Sequence, residues 1–253
     1  MNASQPRLRM FAGPNGSGKS SIQSILRPGL LGVLVNPDEI EKQIRRQNGS
    51  LDLESYGAST TEEEVRAFFD CSGLLNKAKL LDQSAKLRFK NGKLNFSAVS
   101  INAYFASVTA DFIRRKLLSS CVTFTCETVM SSDDKVELLS KAQSVGYRTY
   151  LYYVATEDPL INISRVRHRV KIGGHDVPEE KIISRYYRSL DLLMDAVQHT
   201  DRAYIFDNSG CERIWLAEVT GGKTMDIKTD KIPNWFMQSL LNKYLTRQIE
   251  GTP

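Results

Sequence analysis

Gly13-Pro14-Asn15-Gly16-Ser17-Gly18-Lys19-Ser20 constrains this chain more than any other stretch. It fits G-x-x-x-x-G-K-[ST] at every fixed position, a pattern that needs a strand before it and a helix after it. Both are legible: Arg7–Ala12 (RLRMFA) patterns as a short strand and Ser20–Leu26 as a helix. Glycines let backbone N–H groups converge on phosphate oxygens. The helix that follows points its positive end at the same place. Lys19 is placed to reach the β and γ phosphates, and the Ser20 hydroxyl to coordinate Mg²⁺. The expected ligands are therefore ATP and Mg²⁺. The expected ATP contacts are Gly13, Pro14, Asn15, Gly16, Ser17, Gly18, Lys19, Ser20 and Ser21.

Strands and helices alternate through the rest of the chain, which argues for a parallel α/β sheet flanked by helices. Gly32–Val35 (GVLV) reads as a second buried strand and Asp38–Arg46 as a helix, followed by a polar stretch to Thr61. A longer helix is expected over Thr61–Leu81, opened by Thr60 or Thr61 with an acidic first turn. Lys86–Phe96 alternates about Asn91-Gly92, the signature of a tight hairpin, and Ser100–Leu118 is helical. Val122–Cys126 (VTFTC) is a β-branched strand, Asp133–Ser144 a helix closed by Gly146, and Arg148–Ala155 the next strand. Two helices, Pro159–Ile172 and Pro178–Gln198, are separated by Gly173-Gly174. Ala203–Phe206 is expected as the final core strand. The tail carries a hairpin around Gly221-Gly222 and a last helix, Asn234–Gln248. The expectation is one domain over 1–253, with a core over 7–209, a hairpin insertion at 84–98 and a C-terminal hairpin and helix at 210–253.

Composition removes some function classes. The 253 residues suffice for one large core. Hydrophobic residues make up 41% and charged residues 25%, with no apolar run long enough to span a bilayer and no apolar signal core before Arg9. A cytoplasmic location is the expectation. Cys71, Cys121, Cys126 and Cys211 form no Cys-x-x-Cys pair and only three histidines exist, so reduced thiols are expected rather than a zinc site. A net charge of +5 suits an anionic ligand. The basic residues are spread out except over Arg165–Lys171, so charge gives no reason to expect nucleic acid.

Three groups of residues are candidates for chemistry. Asp38 follows the second strand, where a carboxylate beside the phosphate loop can take the proton of an attacking hydroxyl. Its alternative is a helix start, with Asn36 as cap, Pro37 first and Glu39 third. Glu127 sits at the carboxyl end of Val122–Cys126, the end at which ligands bind in open parallel sheets. It could hold an acceptor hydroxyl or a metal-bound water, or be a carboxylate satisfied by a basic neighbour. Ser131 or Ser132 is expected to cap the next helix. The third group is Arg165, Arg167, Arg169 and Lys171, on a helix whose apolar face is Ile163, Val166 and Val170. A glycine-hinged, arginine-bearing hairpin suits a lid that closes over phosphates, with Arg185 and Arg188 able to join it. A solvated basic face is the alternative, and His175 is expected to be structural.

Together these features resemble the compact bacterial branch of the zeta toxin family. The matching pieces are Gly13–Ser20, Val35-Asn36-Pro37-Asp38, Phe124–Met130 (FTCETVM) and Gly146–Asp158. The run Arg165–Ser189, with its GGHDVPEEK stretch, and Ala203–Ser209 (AYIFDNS) also match. The resemblance covers about residues 7–209. It implies a P-loop kinase-like fold and transfer of the ATP γ-phosphate to a hydroxyl of a nucleotide sugar such as UDP-N-acetylglucosamine. It gives Asp38 the role of base and places the acceptor on Asp38, Glu127 and Thr128. Lys19, Arg169 and Arg185 act on the moving phosphoryl group, with Arg165 and Arg169 on the nucleotide. No antitoxin segment precedes the loop, so an inhibitor is expected to act in trans. The sugar-side segment, including the hairpin Lys86–Phe96, does not resemble that of the larger toxins.

Other uses of a phosphate loop stay open at this level. Tyr204-Ile205-Phe206-Asp207 imitates the strand and Asp of an ATPase hydrolysis motif, but Asn208 stands where a catalytic Glu often follows. The Asp-Asn-Ser turn therefore lies near the nucleotide base or is structural. A 5′-hydroxyl nucleic-acid kinase and a non-catalytic nucleotide-binding protein are the remaining alternatives.

Overall fold

β1 (Arg7–Ala12) is buried from Leu8 onward and runs directly into the phosphate loop. The computed structural model describes residues 5–24, 26–174 and 176–250. His175 and residue 25 of the expected first helix lie outside the described residues. The chain forms two compact units: residues up to Leu30 together with those from Glu127 onward, and Leu31–Cys126 between them.

The first unit opens with β1, α1 (Lys19–Gln23) and most of α2 (Pro28–Leu31). α1 is thus shorter than the helix expected to Leu26. The second unit carries β2 (Val33–Val35), α3 (Pro37–Arg46), β3 (Ser50–Asp52) and a 3-10 turn at Glu54–Tyr56. After these come α4 (Glu62–Asp70), α5 (Gly73–Lys77), α6 (Leu81–Ser84), β4 (Arg88–Lys90), β5 (Lys93–Asn95) and α7 (Ala103–Ser119). β6 (Phe124–Thr128) passes from the second unit back to the first, which continues with α8 (Asp134–Ser144), β7 (Arg148–Ala155), α9 (Pro159–Lys171), α10 (Glu179–Asp191) and α11 (Leu193–Gln198). It ends with β8 (Arg202–Asp207), β9 (Ile214–Thr220), β10 (Thr224–Ile227), α12 (Asn234–Phe236), a π-helical segment at Met237–Leu241 and α13 (Asn242–Glu250).

In the first unit the strand order is β10-β9-β8-β7-β1. β1 pairs with β7 in parallel, from Arg7↔Arg148 to Ala12↔Tyr153, and β7 with β8 likewise. β9 and β10 add antiparallel strands, β9 with Leu216, Ala217 and Val219 fully buried. β8 is therefore not the last core strand. One face of these strands is dry, with Leu151, Tyr153, Ala203 and Ile205 at 0% exposure. On the other face Phe11, Tyr152 and Tyr204 stack across neighbouring strands, their ring centroids 4.8 and 5.1 Å apart. The fold is α/β, with parallel strands flanked by helices, as the alternation predicts.

In the second unit β2 pairs in parallel with β6, from Val33↔Phe124 to Val35↔Cys126. Only Val35 of β2 is buried and Leu34 is exposed, so this strand is not the buried run that its composition suggests. The hairpin forms as expected, with Asn91 at φ 50° and Gly92 at φ 73°. It belongs to a three-stranded antiparallel sheet, β3-β5-β4, whose β3 falls in the polar stretch before Thr61, where the sequence pattern marks no strand.

The helix expected over Thr61–Leu81 is two short ones, α4 and α5, and α6 begins only at its last residue. Thr61 does open α4, in a full capping box with Glu64. Ser72 then caps α5 through Leu75 N, and Lys79 leaves the helical region at φ 57°. Local side-chain caps here outcompete continued helix. The segment expected as one helix over Pro178–Gln198 is likewise divided into α10 and α11. α8 has Asp133 at its N-cap with no side-chain bond; Ser132 Oγ donates to Asp134 Oδ1 instead of capping. None of the four cysteines is in a disulfide among the described residues. No helix of the described residues is long and apolar enough to cross a membrane.

Candidate nucleotide site

The loop after β1 is shaped by positive φ angles. Gly13 has φ 137°, and a Cβ there would collide with the Val154 carbonyl of β7. Gly18 has φ 98°, and a Cβ there would collide with the Asn208 amide. Only glycine satisfies both demands. Lys19 is 7% exposed, and its Nζ donates to the carbonyls of Gly13 and Pro14, each at 2.9 Å. The ammonium is thus folded back over the mouth of its own loop. Ser17 Oγ and Asn15 Oδ1 are buried and have no hydrogen-bond partner among the described residues.

Ser20 stands at the first turn of α1, and its Oγ donates to the Glu127 carboxylate, 3.2 Å to Oε2 and 3.4 Å to Oε1. Glu127 lies at the carboxyl end of β6 as expected, one residue before the strand ends at Thr128 rather than just after Cys126. Thr128 Oγ1 accepts from Met130 N at 3.0 Å, which turns the chain away at a Met130 φ of 53°. Ser21 is exposed, and its carbonyl accepts from Ser24 Oγ.

Two residues that the motif does not include hold the loop from outside. Asn162, on α9 and fully buried, donates through Nδ2 to the Asn15 carbonyl and is itself engaged by Thr156 Oγ1. Asn208 Nδ2 donates to the Ser17 carbonyl at 2.8 Å. Both act across more than a hundred residues of sequence, so no local pattern betrays them. The Asp-Asn-Ser turn was the sole hint. Asp207 is 5% exposed and accepts from Ser209 N, Ser209 Oγ and Trp235 Nε1.

The basic helix α9 starts at an Asp158 cap followed by Pro159. Its apolar face forms as expected: Ile163 and Val166 pack with Val177 and Ile182, joined by Val170. The arginines have separate lives. Arg165 Nη1 donates to the Asn208 carbonyl at 2.7 Å, and Nη2 to that of Gly210 at 3.4 Å. Arg167 pairs with Glu179, which ties α9 to α10. Arg169 is half-buried, with Gly174 close against its stem. Arg185 is half-buried on α10, and exposed Arg188 donates to the Ser184 carbonyl of its own helix. Burial raises the Tyr186 phenol far above its ordinary pKa, and its hydroxyl donates to the Thr156 carbonyl at 2.6 Å.

The first unit thus brings together the phosphate loop, Ser20, Glu127 and, through Asn208, Arg165. Asp38 belongs to the second unit, exposed in the first turn of α3. Its N–H donates to the Asn36 side chain at 2.9 Å and Pro37 leads the helix, so the cap geometry expected there is present. The cap uses the Asp38 amide and leaves its carboxylate out of the motif. Among the described residues no cluster of three His, Cys, Asp or Glu could hold a metal ion.

No family model matches the sequence. The chain is 21% identical over 182 residues to an uncharacterised protein of Haemophilus influenzae, which covers 72% of this chain and 94% of that one. Its fold is similar to a chain of the AvrRxo1-ORF1:AvrRxo1-ORF2 structure with sulphate ions, with a TM-score of 0.54 and 15% identity over 89% of this chain. The same complex with ATP gives 0.53 and 15% over 88%. This chain spans 62% and 61% of the length of those chains. The PezAT chromosomal toxin–antitoxin system of Streptococcus pneumoniae gives 0.50 and 13% identity, over 99% of this chain and 88% of that one. At these identities the likeness is one of fold, an α/β arrangement of largely parallel strands flanked by helices.

Proposed function

We propose that the chain binds ATP with Mg²⁺ in the loop Gly13–Ser20 and transfers its γ-phosphoryl group, in the cytoplasm, to a hydroxyl of a small-molecule acceptor. The observation that carries this reading is the loop itself: a glycine-shaped cradle with a buried lysine at its mouth and a serine hydroxyl facing a carboxylate. The acceptor class is a nucleotide sugar, with UDP-N-acetylglucosamine the first to test, on the strength of FTCETVM and GGHDVPEEK. The similar AvrRxo1 complex solved with ATP supports the choice of nucleotide.

Backbone N–H groups of the loop bind phosphate oxygens. Lys19 exchanges its two carbonyl partners for the β and γ phosphates. Ser20 Oγ and the Glu127 carboxylate, 3.2 Å apart, are hard oxygen donors. Two such groups fit Mg²⁺, which keeps several waters and takes its remaining ligands from phosphates. When bound, the ion supplies charge neutralisation for the triphosphate. The acceptor oxygen attacks the γ-phosphorus, its bond to the β–γ bridging oxygen breaks, and ADP leaves. The acceptor proton passes to the Asp38 carboxylate. Arg169 and Arg185 offset the charge spread over the transferred group, Glu127 and Thr128 hold the acceptor, and Arg165 steadies the nucleotide side through Asn208. An inhibitor protein acting in trans fits the same reading, since similar chains were solved as AvrRxo1-ORF1:AvrRxo1-ORF2 and as a toxin–antitoxin system.

The deciding experiment incubates the protein with Mg²⁺-ATP and a panel of acceptors: UDP-N-acetylglucosamine, other nucleotide sugars, nucleosides and a 5′-hydroxyl oligonucleotide. A mass gain of one phosphate on a nucleotide sugar is the expected result. Gain on the oligonucleotide alone would assign a nucleic-acid kinase, and ADP release without a phosphorylated product an ATPase.

A further inference from the structure

We propose that Trp235, in the C-terminal segment beyond the resemblance, is a positioning residue for the nucleotide: it fixes Asp207, and through Asp207 the turn that holds the phosphate loop. This rests on the reading of Gly13–Ser20 as an ATP site. Trp235 is 4% exposed, and its Nε1–H donates to Asp207 Oδ2 at 2.7 Å. Asp207 has no ion pair among the described residues. Its buried carboxylate is held by three donors: Trp235 Nε1, Ser209 N at 3.0 Å and Ser209 Oγ at 2.7 Å. A buried carboxylate needs such donors, and losing one is felt by the groups that remain.

The turn made in this way is Asp207-Asn208-Ser209. Ser209 Oγ accepts from Glu157 N at 2.8 Å, and Asn208 N donates to the Ala155 carbonyl at 2.8 Å. These bonds fix the turn against the end of β7. What the turn presents to the loop is the Asn208 amide, 2.8 Å from the Ser17 carbonyl and at the point where Gly18 permits no Cβ. Arg165 closes the set on the Asn208 carbonyl. The tail is anchored independently of the turn: Trp235 packs against Tyr153 and Phe236, Phe236 and Leu240 are buried, and Ser239 Oγ donates back to the Trp235 carbonyl at 2.6 Å. A short helix with a π-helical insertion thus delivers one N–H to one carboxylate behind the loop. π-helical turns of this kind recur at functional positions.

The test is ATP binding by calorimetry on the full chain, well below the melting temperature, for wild type, Trp235→Phe, Asn208→Ala and the double variant. Trp235→Phe keeps an aromatic ring and removes the donor. The expected result is a Kd about tenfold higher in each single variant, the scale of one lost hydrogen bond, and no further rise in the double variant, because both act through one turn. Wild-type Kd in a folded Trp235→Phe, or multiplying rises in the double variant, would overturn the proposal even if the melting temperature falls. If Trp235→Phe does not fold, Ser209→Ala removes a different donor from Asp207 and takes its place in the same cycle. Lys19→Ala runs alongside. Wild-type ATP affinity there removes the nucleotide site itself, whereas loss of affinity there with none in Trp235→Phe removes only the relay.

Discussion

Ser20 Oγ donates to the carboxylate of Glu127 across 3.2 Å, joining the last residue of the phosphate-loop motif to β6, the strand that opens the FTCETVM segment. A metal ion held at Ser20 would have the Glu127 carboxylate beside it as a second hard oxygen group.

Glu127→Gln keeps the size of the side chain and removes its charge. The expected outcome is a rise of about 10–100-fold in the Mg²⁺ concentration for half-maximal turnover, the usual effect of losing a group that supports a metal, together with a higher acceptor KM. Titrating Mg²⁺ and acceptor separately at saturating ATP checks it. An unchanged Mg²⁺ curve with a raised acceptor KM would make Glu127 a residue of the acceptor alone.

Arg165 and Arg169, one helical turn apart, should fail differently. Arg165 already serves the Asn208 and Gly210 carbonyls. Arg165→Ala is therefore expected to raise the ATP Kd and to lower kcat less. Arg169 is assigned to charge that grows in the transition state. Arg169→Ala should lower kcat about a thousandfold, in line with arginine fingers, with a smaller change in ATP affinity. Calorimetry and turnover on the same preparations separate the two. Equal effects on kcat would remove the distinction.

Glu64 gives a pH-dependent stability. The Lys116 ammonium at 2.9 Å, with Thr60 and the Thr61 N–H, lowers its carboxyl from 4.5 to about 2. A carboxyl lowered on folding contributes stability above its unfolded pKa, and that contribution is lost as pH falls through the folded value. Glu64→Gln preserves the capping box pattern with Thr61 but removes the charge. Wild type should melt above Glu64→Gln from pH 7 down to about 4.5, and the difference should shrink toward pH 2. A gap that stays constant to pH 2 would show that the charge on Glu64 is irrelevant.

The parts of this site that the sequence discloses are those in which backbone geometry dictates residue type. Gly13 and Gly18 must be glycine because carbonyl and amide groups of β7 and Asn208 crowd them, and Asn91-Gly92 must turn with positive φ. Such demands leave a fixed spacing. Asn162, Asn208 and Trp235 leave none, since each acts on a group far away in sequence through one hydrogen bond. The break of Thr61–Leu81 into α4 and α5 is hidden for another reason. Its residues are good helix formers, and the cap at Ser72 and the left-handed Lys79 outweigh them only by small local terms. Glu127 stands at the carboxyl end of its strand as its position after the apolar run implies, and the strand runs two residues past Cys126 because a charge at 127 does not stop β pairing and Thr128 is itself a β-branched strand former.

Asp38 poses the sharpest test, because the α3 start and the chemistry assign it different tasks. The start uses the Asp38 N–H, which donates to Asn36 Oδ1, and benefits only modestly from a negative charge in the first turn. The chemistry uses the carboxylate, which must accept a proton. Asp38→Asn preserves the N–H, the size and the cap, and abolishes basicity. With Asp38 as base, turnover should fall roughly 10²–10⁴-fold, while ATP affinity stays near wild type because Lys19, Ser20 and the loop amides carry the nucleotide. The melting temperature should shift only slightly, by the loss of one favourable charge near the helix start. With Asp38 as no more than a helix-start residue, the same small melting shift would appear beside normal turnover. The two outcomes differ only in rate, so turnover, ATP Kd and melting temperature must be measured on one preparation with an acceptor that the wild type phosphorylates. Near-normal turnover under those conditions would end the assignment of Asp38 as the base.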